Sequence, residues 1–199
     1  MPMDISTLAT ATIEGSEANG LFGDIVQIID DQDGNGYPEL LVGAKSTSGE
    51  GVLQGGAVYL YETGATLSAI DGHGPSDAIA SVVGETPLIW LGSEAAGGGD
   101  VDGDGVPDLI LSGRPDTAVD LRGASYLLLG PISGTRTELD ARARLIGAEL
   151  FSASGSAVGF ARAGGATDLL VVGARNYDHD SGDAVPDAGG LYLLEALGL

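Results

Sequence analysis

Asp31-Gln32-Asp33-Gly34-Asn35-Gly36-Tyr37-Pro38-Glu39 and Asp100-Val101-Asp102-Gly103-Asp104-Gly105-Val106-Pro107-Asp108 share one pattern. In both stretches positions 1, 3, 5 and 9 carry oxygen side chains and positions 4 and 6 are glycine. Side chains at alternate positions converge on a single ion only if the chain turns sharply between them, and glycine permits the positive φ that such a turn needs. An oxygen-only donor set with this spacing suits a hard divalent cation, Ca2+ above all. Two such sites are therefore expected. The second carries four carboxylates and the first carries three and an amide, so the second is expected to bind more tightly.

The start of each stretch matches an EF-hand loop, but the residues after it do not. Leu40-Leu41-Val42 and Leu109-Ile110-Leu111 stand where an EF-hand would run on to its closing glutamate and a helix. Short apolar runs of this kind, alternating with Gly, Asp, Ser and Pro clusters, read as strands. Each ion is thus expected in a tight loop between two strands, in an all-β chain whose 34 glycines among 199 residues mark turns.

A net charge of −21 argues against nucleic acid and against anionic membrane surfaces as partners, and favours cations. The charge is lopsided. Up to residue 112 the one basic side chain, Lys45, faces 18 acidic ones, so bound calcium would relieve self-repulsion where both loops lie. Cysteine is absent, and no apolar run is long enough to cross a membrane as a helix. The first 20 residues lack the basic start and apolar run of a signal peptide. Millimolar calcium is an extracellular condition, so an extracellular or cell-surface location is expected.

Sliding the chain against itself gives three repeats of one unit, at about 8–62, 67–130 and 139–196, within a single domain. Leu21-Phe22-Gly23, Trp90-Leu91-Gly92 and Leu150-Phe151-Ser152 open the units. Gly43-Ala44, Ser112-Gly113 and Gly173-Ala174 close the strand after each loop, and Gly56-Ala57-Val58-Tyr59, Gly123-Ala124-Ser125-Tyr126 and Gly189-Gly190-Leu191-Tyr192 begin the next. Ahead of each unit stands a segment ending in glycine: Thr12-Ile13-Glu14-Gly15, Ala69-Ile70-Asp71-Gly72 and Arg144-Leu145-Ile146-Gly147. Residues 73–89 read as an insertion. About four strands per unit is the content of one β-propeller blade.

Phe-Gly near the start, an aspartate loop, and Gly-Ala at the end of the next strand closely resemble the FG-GAP repeats of the integrin α-chain β-propeller, over nearly the whole chain. The resemblance implies calcium in the aspartate loops and partner binding on the opposite face of the disc. It implies ligands from Asp31, Asp33, Asn35 and Glu39 with the carbonyl of Tyr37, and from Asp100, Asp102, Asp104 and Asp108 with the carbonyl of Val106. The third loop, residues 160–168, keeps one carboxylate, so calcium is not expected there. Arg162 pairing with Asp168 is expected to replace the ion.

Asp178, Asp180, Asp183 and Asp187 crowd another loop, where a solvated acidic surface and a further cation site are the two readings. Arg136, Arg142 and Arg144 read as the charged face of an outer strand. There is no Gly-x-Ser-x-Gly, no cysteine and no Walker loop, and the best carboxylate pairs already have metal spacing, so no enzyme is expected. The expected function is a calcium-binding, integrin-α-like module for protein or glycan interaction in adhesion. The alternatives are a secreted hydrolase or lyase using the acidic loops, and a purely structural module of a larger surface protein. Because propellers generally need at least about four blades, a homodimer closing one six-bladed ring is expected, with residues 8–14 of each chain completing the last blade of the other; the alternative is a piece of a longer protein.

Overall fold

Central strands that are buried on both faces are continuous apolar runs, and Leu109-Ile110-Leu111 shows why: all three side chains are fully enclosed, with neighbours on opposite sides of their sheet. The computed structural model describes residues 3–64, 66–113, 121–162, 167–177 and 188–195. It is all-β, with twelve strands among the described residues in three separate sheets, none closed into a barrel.

The first sheet contains β1 (Ile25–Ile29), β2 (Glu39–Ala44), β3 (Ala57–Glu62) and β4 (Ala80–Val83), antiparallel in that order. The second contains β5 (Ala95–Gly99), β6 (Asp108–Gly113) and β7 (Ala124–Leu128). The chain then supplies β8 (Gly134–Thr137), which runs parallel to β4 as the outer edge of the first sheet, and β9 (Ala143–Ile146), which completes the second. The third sheet is β10 (Ser154–Arg162), β11 (Asp168–Ala174) and β12 (Gly190–Leu194). The sheets stack face to face. Leu41, Val58 and Leu60 of the first pack on Leu109, Leu111, Tyr126 and Leu128 of the second, whose other face, with Ile110 and Leu127, packs on Leu170 and Val172 of the third. At about 1.5–3 kcal/mol for each such side chain, this burial is the main force holding the sheets together.

A recurring geometry at the start of each sheet fixes the repeat register. Asn19, Leu21 and Gly23 have positive φ, as do Leu88, Trp90 and Gly92, and again Phe151, Ala153 and Gly155. The Leu91 N–H donates to the Gly55 carbonyl at 2.9 Å, and the Ser154 N–H donates to the Arg122 carbonyl at 2.7 Å. Ala153-Ser154-Gly155, rather than Leu150-Phe151-Ser152, therefore matches Leu21-Phe22-Gly23. The Gly56 and Gly123 backbones lie so close to Leu91 and Ser154 that neither glycine has room for a side chain.

Two further expectations change. The fourth strand of the first sheet is β4, inside the supposed insertion; Leu67–Ile70 is a single 3-10 turn. Ala80 and Val82 alternate into the core, whereas the segment after Ile70 runs at once into Asp71, Gly72 and Gly74. Residues 8–14 form no strand: Thr12 and Glu14 are tied to Asp71, Gly72 and His73 of their own chain by backbone N–H donors. That leaves no free strand there to lend to a second copy.

Candidate metal centres

In each of the first two sheets a hairpin turn carries the acidic stretch: residues 30–38 link β1 to β2, and residues 100–107 link β5 to β6. Gly34, Gly36, Gly103 and Gly105 all have positive φ, between 78° and 90°, which turns the chain back on itself after each aspartate. Asp31 is fixed by N–H groups of its own loop, Gly34 at 2.7 Å and Gly36 at 2.7 Å; Asp100 is fixed by Gly103 at 2.7 Å and Gly105 at 3.0 Å. The Gly36 N–H above all holds the Asp31 carboxyl below the usual carboxylate range. Asp33 and Asp102 accept the N–H of Asn35 and Asp104 respectively, while Asn35 and Asp104 accept from Tyr37 and Val106.

The ninth position of each loop is the first residue of β2 or β6, and it is buried. The Glu39 Oε2 accepts the Gln32 N–H at 2.7 Å, and the Asp108 Oδ2 accepts the Val101 N–H at 2.8 Å. The extra methylene of Glu39 is thus absorbed without changing its backbone partner. Oxygens of Asp31, Asp33 and Glu39 lie within 4.8 Å of one another, and so do oxygens of Asp100, Asp102 and Asp108. Glu39 Oε1 is buried beside these charges with no hydrogen-bond donor. Burial first, then the charges of Asp33 and Asp31, push its carboxyl up to about 7. Burial likewise raises Asp108, opposed by the N–H groups of Val101 and Gly130. Either triad could hold a metal ion.

Two neighbours that spacing alone does not single out tie the loops to the fold. Gln32 is buried and donates its side-chain amide to the Pro107 carbonyl at 3.0 Å, joining the first loop to the second. Asp168 joins the second loop to the third sheet, its N–H on the Asp100 carbonyl at 2.7 Å and its carboxylate on the Asp100 N–H at 3.1 Å. Arg162 makes no ion pair with Asp168 among the described residues. The pair expected to replace an ion is absent, and Asp168 is engaged with Asp100 instead. In this hairpin the Arg162 and Asp168 backbones are ladder partners, leaving residues 163–167 between them and no nine-residue loop. Asp178, Asp180, Asp183 and Asp187 lie outside the described residues.

At the other end of the strands, Lys45 follows β2 and Arg175 follows β11. With Trp90, Glu94, Phe151 and Asn176 they line an open cavity of about 400 Å³. Lys45 is ion-paired with Asp24. Glu94 is pushed up by burial, with Lys45 acting the other way. No helix among the described residues is long and apolar enough to cross a membrane. No protein-family model matches the chain.

Proposed function

We propose that the chain is a calcium-stabilised, integrin-α-like propeller module that binds a protein or glycan partner at the end of its sheets opposite the metal loops, in an extracellular setting. The three sheets are read as blades of FG-GAP type. The single observation that carries the metal part is Glu39 Oε1, a buried carboxylate oxygen with no donor, on a residue whose carboxylate gathers within 4.8 Å of those of Asp31 and Asp33. Such an arrangement is costly without a cation and favourable with one. All-oxygen donors without histidine or cysteine favour calcium, whose six to eight ligands would include Asn35 or Asp104 and the carbonyls of Tyr37 and Val106. Calcium would then act structurally, by offsetting repulsion and locking both hairpins.

The partner surface is inferred from the cavity lined by Lys45, Trp90, Phe151 and Arg175, where two cations and two aromatic rings meet at one opening on an otherwise acidic chain. The test is thermal unfolding in EDTA and in millimolar calcium, for the wild type and for Asp33→Ala combined with Asp102→Ala. At about 100 times its dissociation constant each ion adds roughly 2.7 kcal/mol, so calcium should raise the wild-type midpoint strongly and leave the double variant unmoved. Equal midpoints with and without calcium would remove the metal reading.

A further inference from the structure

The stacking contact between sheets is made twice inside the chain, with equivalent residues each time. In each case the face carrying the Leu41-type side chain of one sheet is covered by the opposite face of the next. The positions this face uses on the third strand are Val58 and Leu60 in the first sheet and Ser125 and Leu127 in the second, and all four are 0% exposed. Their equivalents in the third sheet, Leu191 and Leu193, are 63% and 61% exposed. Beside them Gly159 of β10 has nothing within 4 Å of where a side chain would stand. In the second sheet, by contrast, Gly99 is filled by the Phe160 ring.

The covering face has its own copy on the first sheet, where Phe22 lies over Tyr59 and Tyr61 and Val42 is buried, but where the first strand stays open. In the third sheet, Val158 and Phe160 of the first strand press onto the second sheet. The matching residues of the first sheet, Val26 and Ile28, are 56% and 63% exposed. The backbone joint is also half built. Gly56 and Gly123, with φ of 77° and 79°, each receive the lead-in segment of the next sheet, at Leu91 and at Ser154. Gly189 repeats that conformation with φ of 79°, yet no lead-in segment of another sheet lies against it among the described residues.

We infer that two copies of this chain close on one another, the first sheet of each covering the exposed face of the third sheet of the other, with Val26 and Ile28 seated over Gly159 against Leu191 and Leu193. By the equivalence with Leu91 and Ser154, the Phe22 N–H of one copy would donate to the Ala188 carbonyl of the second, beside Gly189. A second copy is the occupant because the two open faces repeat the two halves of the contact made twice inside the chain, so each copy offers what the other lacks. No strand is exchanged. The inference goes beyond the calcium reading and does not depend on it, since none of these residues belongs to a metal loop.

The test is the mass of the 199-residue chain in solution by light scattering and sedimentation, at about 10 µM and 0.15 M salt, with calcium and again with EDTA. The expected result is a closed species of twice 19.9 kDa. Leu191→Asp with Leu193→Asp should weaken it on the order of 100-fold, and so should Val26→Asp with Ile28→Asp. Both variants should keep the wild-type far-ultraviolet circular dichroism, because the substituted side chains are exposed in the single chain. Mixing the two variants restores one intact contact of the two, so a mixed dimer should reappear. Leu53→Asp, 60% exposed but outside both faces, should change nothing. A monodisperse monomer, an open-ended ladder of oligomers, or a dimer indifferent to both pairs of substitutions would overturn the inference.

Discussion

Glu39→Gln should reverse its effect on stability when calcium is added. In the metal-free protein Glu39 Oε2 accepts the Gln32 N–H, while Oε1 is buried without a donor in a triad with Asp31 and Asp33. At pH 8, above the value of about 7 to which burial raises Glu39, glutamine keeps an oxygen for Gln32, removes a buried charge and supplies a missing donor. Correcting one unsatisfied buried group is worth about 1–3 kcal/mol, which for a chain of this size is roughly 4–8 °C in Tm for about 2 kcal/mol. With calcium in excess the same substitution loses a charged ligand. The first site would then forfeit roughly the 2.7 kcal/mol that an ion contributes at about 100 times its dissociation constant. Thermal unfolding followed by circular dichroism, in EDTA and in millimolar calcium, reads both halves. The variant should melt above the wild type in EDTA and below it in calcium. Destabilisation by the same amount in both buffers would refute the reasoning, because Glu39 would then be an ordinary packed side chain.

Two other outcomes rest on particular contacts. Gly99→Ala places a methyl against the Phe160 ring between the second and third sheets, and overpacking of this kind should cost about 2 kcal/mol, measured as a lower urea midpoint at unchanged m value. Glu17 accepts the Thr47 hydroxyl and the Ser48 N–H, and these bonds lower its pKa. A depressed folded-state pKa contributes stability above the unfolded value of 4.5 and loses it as pH falls through the folded value. Glu17→Gln should therefore melt below the wild type at pH 7, with the gap closing as pH drops below 4.5; a gap that stays constant down to pH 3 would contradict this.

The loops were legible because metal spacing is strictly local: oxygen side chains and glycines at fixed offsets leave few alternatives, and the buried ninth residue announces itself by starting an apolar run. The central strands were legible for the same reason. The fourth strand of the first sheet was not, because Ala69-Ile70-Asp71-Gly72 and Ser81-Val82-Val83-Gly84 are both short apolar segments ending in glycine, and only pairing with β3 chooses between them. The third repeat was misaligned by its most conspicuous residue. Phe151 resembles Phe22 in type, yet Ser154 holds the equivalent place. The defining feature, alternating positive φ, falls on Leu21, Leu88, Trp90, Phe151 and Ala153, none of which signals that conformation in a sequence. Gln32 was silent for a similar reason: its bond to Pro107 depends on how two sheets stack.

Direct counting of bound calcium on the EDTA-stripped chain, by equilibrium dialysis with metal analysis, tests the central claim most closely. The account predicts two ions per chain for the wild type, one for Asp33→Ala, one for Asp102→Ala and none for the double variant, each single variant remaining folded by circular dichroism. A wild-type chain that retains no calcium, or one whose calcium survives the double substitution, would contradict it.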